Sequence, residues 1–311
     1  MPPDQAPFPV RAAAIDIGSN AIRFLAAEFS GPAEWAEIAS DRAAVRLGQE
    51  VFLTGRISPE ALDAAVEALG GFRRRMDELG VTRYRAVATS AVRESANGAE
   101  FVRRAGEAAG VRVEPITGED EAHLTWLAIR HGIPLGEREW VVVDLGGGSL
   151  EISRVDAERI RWTESFPLGT VRLLDELGDA GADDPARLRR LLAGSPLTAR
   201  LRAAAEEARR AGPIATGGNI EVLAGLVGAR ADTGGVRRLP LSRLREILGR
   251  LAGMSARARM ERFGLRADRS DVIVPAAVVY EYVAEQLGAT EIVVSSVGVR
   301  EGVLLEVGAG A

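Results

Sequence analysis

Apolar and polar positions along the 311-residue chain follow two periods, and the switches between them mark out the elements. A β-rich run over 11–17 breaks at Gly18-Ser19-Asn20 and resumes over 21–29, which predicts a hairpin closed by a glycine turn. Over 58–79 the spacing becomes helical, with Leu62, Val66, Leu69, Phe72, Met76 and Leu79 on one face. Ser58 is placed to cap this helix, Pro59 suits its first turn and Gly80 suits its end. A strand at 84–89, a helix at 99–109 and a strand at 111–116 come next. Another helix starts from Thr117, where Asp120 three residues on completes a capping box.

The polar stretch 131–139, with Gly132, Pro134 and Gly136, reads as a domain boundary. After it an apolar strand at 140–144 breaks into Leu145-Gly146-Gly147-Gly148-Ser149, and a strand at 150–155 returns. Helical patterning covers 183–210, a short strand at 213–215 leads into Thr216-Gly217-Gly218-Asn219, and a helix opens at 220–226. Helices at 241–260 and 272–286, a strand at 291–295 and a terminal helix at 298–307 complete the chain. Alternating strands and helices place it in the α/β class with mixed sheets flanked by helices. The expected division is a Pro-rich disordered tail at 1–10 and domains at 11–131 and 132–297.

One internal repeat organises this pattern. Ala12-Ala13-Ala14-Ile15-Asp16-Ile17-Gly18-Ser19-Asn20 opens the first half, and Val141-Val142-Val143-Asp144-Leu145-Gly146-Gly147-Gly148-Ser149 opens the second. Each is an apolar strand, an Asp, an apolar residue and a glycine turn, which implies two related domains presenting their hairpins to a shared cleft. Glycines let the backbone approach a ligand, and successive N–H groups make a concave anion nest. Ser19, Asn20 and Ser149 add donors, while Asp16 and Asp144 at the strand ends suit a divalent cation. An anion nest beside a cation-holding acid is a minimal phosphoryl-transfer site. Taken singly, either hairpin also reads as a plain tight turn capped by its Asp; the pair in register favours phosphate.

Composition narrows the chemistry. All 39 basic residues are Arg; Lys and Cys are absent, and His123 and His131 are the two histidines. No Walker-A lysine, Schiff base, cysteine nucleophile, disulfide or thiolate metal site is possible. A resident cation must sit among oxygens, which favours Mg²⁺ or Mn²⁺. A net charge of −5 argues against a nucleic-acid partner. No apolar run approaches the roughly 20 residues of a membrane span. The first nine residues lack the basic and apolar regions of a signal peptide, so the expected location is cytoplasmic.

Five ordered blocks resemble the exopolyphosphatase and guanosine pentaphosphate phosphohydrolase (Ppx/GppA) family, within the acetate kinase, Hsp70 and actin superfamily. They are Ala14-Ile15-Asp16-Ile17-Gly18-Ser19-Asn20, Ala88-Thr89-Ser90-Ala91-Val92-Arg93 and Ile116-Thr117-Gly118-Glu119-Asp120-Glu121-Ala122. Val143-Asp144-Leu145-Gly146-Gly147-Gly148-Ser149 with Glu151, and Thr216-Gly217-Gly218-Asn219, follow. The resemblance implies two ribonuclease H-like (actin-like ATPase) domains with the active site in the interdomain cleft, and a terminal helix packed back on the first domain. It implies metal-dependent hydrolysis of a terminal phosphoanhydride, foremost exopolyphosphatase action on inorganic polyphosphate. The alternatives are pppGpp 5′-phosphohydrolase and a catalytically weak sensor of polyphosphate or (p)ppGpp. A homodimer is the default for an enzyme of this size.

The same resemblance makes Glu121 the general base that orients and deprotonates water, while Glu119 and Asp120 read as helix-start charges. Asp144 becomes the principal metal anchor, with Glu151 second and Asp16 a weaker candidate. Phosphate is expected on Gly18, Ser19, Asn20, Arg93, Gly146, Gly147, Gly148 and Ser149, with Thr216, Gly217 and Gly218 for more distant groups. Arg23 and Arg172 are poorer candidates, the latter following Leu168-Gly169-Thr170-Val171. Runs such as Arg73-Arg74-Arg75, Arg103-Arg104, Arg189-Arg190, Arg209-Arg210 and Arg237-Arg238 are candidates for a polyanion track. The chain departs from the family pattern at Ala21, His123, Leu150 and Asn219.

Overall fold

An eight-residue strand rich in small and β-branched side chains, β1 (Val10–Ile17), is the first element of the described residues. The computed structural model describes residues 8–207, 212–232 and 236–309. Of the tail expected at 1–10, residues 1–7 lie outside these, and Val10 already belongs to β1. There follow β2 (Ile22–Gly31), β3 (Glu34–Ala43), α1 (Val51–Thr54), α2 (Pro59–Glu78), β4 (Arg83–Ala88), α3 (Ser90–Glu94), α4 (Gly98–Ala109), β5 (Val113–Pro115) and α5 (Gly118–Gly132). Next come β6 (Trp140–Leu145), β7 (Leu150–Val155), β8 (Ile160–Phe166), α6 (Thr170–Ala182), α7 (Pro185–Gly194), α8 (Pro196–Glu207), β9 (Gly212–Thr216) and α9 (Gly218–Leu226). The last are β10 (Arg237–Pro240), α10 (Leu241–Ala252), α11 (Ala256–Phe263), α12 (Ala267–Ser270), α13 (Ile273–Gln286), β11 (Glu291–Val294) and α14 (Val299–Ala309). They fall into two units, one reaching His131 and taking in the chain again from Val297, the other Gly132–Ser296.

In the first unit the sheet order is β3-β2-β1-β4-β5. β1 is antiparallel to β2 and parallel to β4, and β4 is parallel to β5. Alternation along β1 gives the sheet two covered faces. Ala13, Ile15 and Ile17, with Phe24 and Ala26 of β2, meet Leu62, Leu69, Phe72 and Met76 of α2 and Phe101 of α4. Phe24 stacks on Phe72 with ring centroids 5.3 Å apart. Ser58 accepts a hydrogen bond from the Ala61 N–H as the N-cap of α2, and Pro59 occupies its first turn. Ala12 and Ala14, with Leu25, Ala27 and Phe29, meet Leu124 of α5 and Val303 and Leu304 of α14. Small residues on this face allow a close approach. A Cβ on Gly302 would stand 2.0 Å from the Leu124 carbonyl oxygen.

The second unit repeats the pattern in the order β10-β11-β9-β6-β7-β8. β6, β7 and β8 run antiparallel in succession, while β9 is parallel to β6 and to β11. β10 adds an antiparallel edge beside β11. The central helix α13 is buried almost all round, which its near-continuous apolar sequence requires.

Several elements differ from the sequence reading. The helix expected at 183–210 is two helices, because Pro196 has no N–H to continue α7 past Ser195; 208–210 lie outside the described residues. The helix expected at 241–260 also breaks, and Ser255 caps its second half by accepting from the Ala258 N–H. The strands β3, β8 and β10 and the helix α6 were not predicted. β3 and β8 are edge-side strands with many exposed positions and little apolar alternation. Within α6, Gly178 at φ 67° kinks the helix and interrupts its periodicity.

Candidate active site

The first hairpin closes where the Gly18 N–H donates to the Ala21 carbonyl at 3.1 Å. Ser19 is buried, and its hydroxyl shares a 3.0 Å hydrogen bond with the Ser90 hydroxyl at the start of α3. The Ser19 carbonyl accepts from the Gly48 N–H at 2.8 Å, and Arg46 Nε donates to Asn20 Oδ1 at 2.8 Å. Gly18, Ser19 and Asn20 therefore form a turn held from outside by the 46–48 segment and by Ser90. Asp16 lies opposite Arg23 in the β1–β2 register, so that acid has an internal counter-charge on its own face.

Thr89 follows β4 as the N-cap position of α3, and α3 carries Arg93 back toward α5. Arg93 Nη1 donates to Glu121 Oε1 at 2.8 Å and to the Ile116 carbonyl at 2.6 Å. Glu121 lies in the first turn of α5 and is only 6% exposed. The predicted capping box forms: the Asp120 N–H donates to Thr117 Oγ1 at 3.1 Å, and the Thr117 N–H donates to Asp120 Oδ2 at 2.9 Å. The Thr117 hydroxyl also donates to Asp120 Oδ2 at 2.7 Å. Asp120 thus serves the helix start, whereas Glu121, one residue on, turns inward to Arg93.

The second hairpin is built on the same backbone with different charges. Its turn closes with the Gly146 N–H on the Ser149 carbonyl at 3.0 Å, and Ser149 is buried. Asp144 and Glu151 are direct cross-strand partners on β6 and β7. Val141, Val143, Leu145, Leu150 and Ile152 enter the main core, so the period-two rule puts Asp144 and Glu151 together on the opposite face. Thr216 of β9 is level with Asp144 on that face. Glu151, 2% exposed, accepts from the Ser165 hydroxyl at 2.7 Å. Two carboxylates directly opposite repel each other. A cation between them removes the cost, and a pair of acids suits Mg²⁺, which binds through one or two carboxylates and keeps waters and phosphate oxygens as its other ligands. Among the described residues no group of three or more Asp, Glu, His or Cys gathers to hold a metal.

The third turn adjoins the second. Gly217 has φ 97°, a backbone state that favours glycine, and a Cβ there would stand 3.3 Å from the Leu145 carbonyl oxygen. Tyr280 donates to the Thr216 carbonyl at 2.9 Å. Gly218 opens α9, and Asn219 Oδ1 accepts from the buried Arg269 at 2.5 Å.

Sequence reasoning missed Ser90, Ser165, Arg46 and Arg269 as supports. Each touches its partner across a long stretch of chain, and no local pattern announces it. The departures from the family pattern also find places. Leu150 is fully buried in the core, so this position faces away from the acid pair. His123 has a half-exposed side chain 3.8 Å from Glu306 of α14, beside Trp126. Of the proposed Arg track, Arg73, Arg75, Arg103, Arg104, Arg189 and Arg238 each meet a carboxylate. Arg209 and Arg210 lie outside the described residues.

Known proteins resemble this chain in sequence and in fold. The sequence profile of the Ppx/GppA phosphatase family matches residues 30–308. Exopolyphosphatase 1 of Mycobacterium leprae is 31% identical over 304 residues, covering 95% of this chain and 89% of that protein. Exopolyphosphatase 2 of Mycobacterium tuberculosis is 31% identical over 318 residues, covering 95% and 98%. The crystal structure of an exopolyphosphatase from Cytophaga hutchinsonii superposes with a TM-score of 0.89 at 26% identity, covering 97% of this chain and 98% of that one. The Ppx/GppA family member from Aquifex aeolicus gives 0.75 at 26% identity, covering 96% and 97%. The two mixed sheets are accordingly the two ribonuclease H-like domains of an actin-like fold.

Proposed function

Because this chain belongs to the Ppx/GppA phosphatase family, we propose that it hydrolyses the terminal phosphoanhydride of inorganic polyphosphate, releasing orthophosphate. The observation that carries the reading is the like-charged pair Asp144 and Glu151 set beside a three-glycine turn. That pair calls for a divalent cation, and the turn's amides call for an anion. Both needs are met by a metal–phosphate substrate. The first hairpin, where Asp16 already faces Arg23, has the weaker need for a metal.

The residues divide the work as follows. Gly146, Gly147, Gly148 and Ser149 supply N–H and hydroxyl donors to phosphoryl oxygens, as do Gly18, Ser19 and Asn20 of the first turn. Thr216, Gly217 and Gly218, at the start of α9, suit phosphates further along the substrate. Asp144 and Glu151 would hold Mg²⁺ or Mn²⁺, which when bound supplies Lewis acidity at the phosphoryl oxygens. Glu121 accepts a proton from the attacking water as the water oxygen bonds to the terminal phosphorus. The bridging P–O bond breaks, its electron pair stays on the shortened chain, and the proton on Glu121 passes to solvent. Arg93 holds the Glu121 carboxylate through Nη1, so the residue also chosen as a phosphate ligand already orients the base. The proposal extends to action in the cytoplasm as a homodimer, on a chain without cysteine. No helix among the described residues is long and apolar enough to cross a membrane.

Orthophosphate release by the purified chain with Mg²⁺, measured side by side on long polyphosphate, short polyphosphate and pppGpp, tests this function. Fastest release from polyphosphate is expected. Preference for pppGpp would reassign the substrate, and tight binding without release from any of them would make the protein a sensor.

A further inference from the structure

A turn of three consecutive glycines has no side chains to hold it, and its amides form an anion nest only if its carbonyls face away from the ligand. All three carbonyls are taken up by one segment. The Gly146 oxygen accepts from the Thr170 N–H at 3.1 Å, and the Gly147 oxygen accepts from the N–H groups of Val171 and Arg172 at 2.8 and 3.0 Å. The Gly148 oxygen accepts from the Gly169 N–H at a longer 3.3 Å. Arg172 makes good that weak point, with Nε donating to the same oxygen at 2.8 Å. The Arg172 residue is 8% exposed, so this is a guanidinium committed to the interior and not a surface charge. The segment lies directly against the turn, since a Cβ on Gly169 would stand 2.3 Å from the Gly148 carbonyl carbon and 2.4 Å from that of Gly147.

We infer that Arg172 is a positioning residue for the phosphate-binding turn: by fixing the Gly148 carbonyl it aims the turn's amides at the substrate. The inference rests on the phosphohydrolase reading above. Arg suits the task because its planar Nε–H is a directed donor and it stays charged when buried. The start of α6 spends its N–H donors on the turn, so its effect on substrate is transmitted through Gly146, Gly147 and Gly148. The sequence block Leu168-Gly169-Thr170-Val171-Arg172 is thereby explained as one device, in which glycine permits the approach and arginine completes the hydrogen bonding.

The test compares the full chain with Arg172→Met, which keeps an unbranched stem and removes the donor, with Arg172→Lys, and with Gly169→Ala. Amide hydrogen exchange over 146–149 without ligand reads the clamp directly. Inorganic phosphate affinity, and KM against kcat on polyphosphate, read its consequence. In Arg172→Met, exchange should quicken and phosphate affinity should fall about tenfold, the scale of one charge-assisted hydrogen bond, with KM rising in step. Arg172→Lys should recover little, because an ammonium does not reproduce the planar Nε–H. Gly169→Ala, whose Cβ meets the backbone of Gly147 and Gly148, should give the same pattern without altering any charge, and Arg172→Lys carries the test if Arg172→Met does not fold. Unchanged exchange and phosphate affinity in a folded Arg172→Met would overturn the inference, as would full rescue by lysine. Altered exchange together with no phosphate binding by the unmodified protein would instead sink the phosphohydrolase reading and leave the clamp standing.

Discussion

Removing the Arg93 guanidinium isolates the contact that holds the proposed base. Glu121 Oε1 lies 2.8 Å from Arg93 Nη1, with side chains 8% and 25% exposed, so little water is present to replace the lost partner. In bulk solvent such a pair would contribute well under 1 kcal/mol. With the carboxylate buried, the charge-assisted hydrogen bond is worth about 1.5–3 kcal/mol. A double-mutant cycle of Arg93→Met, Glu121→Gln and the double variant, followed by urea unfolding, should therefore show coupling of about that size. Arg93→Met strands the buried Glu121 carboxylate, whereas Glu121→Gln keeps an oxygen acceptor and removes only the charge, and the double should be less destabilised than the sum of the singles. Arg93→Met should also lower kcat more than it raises KM, because the base loses its orientation. Coupling below about 0.5 kcal/mol, the ordinary limit of additivity, would refute the idea that the pair is a unit.

Other predictions address separate parts of the account. The Asp120 carboxyl is held below its ordinary value, first by the Thr117 N–H and then by the Thr117 hydroxyl. Its stabilisation is therefore complete above the ordinary carboxylate pKa of about 3.9 and is lost as pH falls through the lowered folded value. Asp120→Asn, at an exposed site and with an acceptor oxygen kept, should cost about 0.5 kcal/mol at pH 7, by urea unfolding, and the gap should close in acid while activity stays near normal. Ser165→Ala removes a donor from buried Glu151, so the Mg²⁺ concentration for half-maximal orthophosphate release should rise about tenfold. Gly302→Ala would place a Cβ 2.0 Å from the Leu124 carbonyl oxygen, a backbone atom that cannot turn aside. A loss of about 1–3 kcal/mol or more is expected in the same unfolding measurement.

The two hairpins were legible because each concentrates its signal in a few residues, an apolar run ended by Asp, an apolar residue and glycine. The helix Pro59–Glu78 and the capping box at Thr117 were legible for the same reason, since caps and faces are local. The strands β3 and β8 were not, because edge positions exposed to water carry no period-two constraint on their apolar residues. The breaks at Ser195 and Gly253 were hidden by continuous Ala-, Leu- and Arg-rich sequence, although Pro196 and Ser255 mark them once the helices are seen. At the site, residue types named the acids and the turns, but not the relation between them. Asp16 opposite Arg23 and Asp144 opposite Glu151 differ in charge on equivalent ladders, and this emerges only when strand register is known. Ser165 and Arg172 support those groups from 14 and 24 residues away, beyond any spacing rule.

The central claim is that Glu121 takes the proton from water in phosphoanhydride hydrolysis. Single-turnover orthophosphate release from polyphosphate with Mg²⁺, measured for the unmodified chain and for Glu121→Gln, tests it most directly. The account predicts a fall in the rate of about 10²–10⁴-fold, the usual contribution of a general base, with polyphosphate binding retained. A Glu121→Gln protein that releases orthophosphate at the unmodified rate would contradict it.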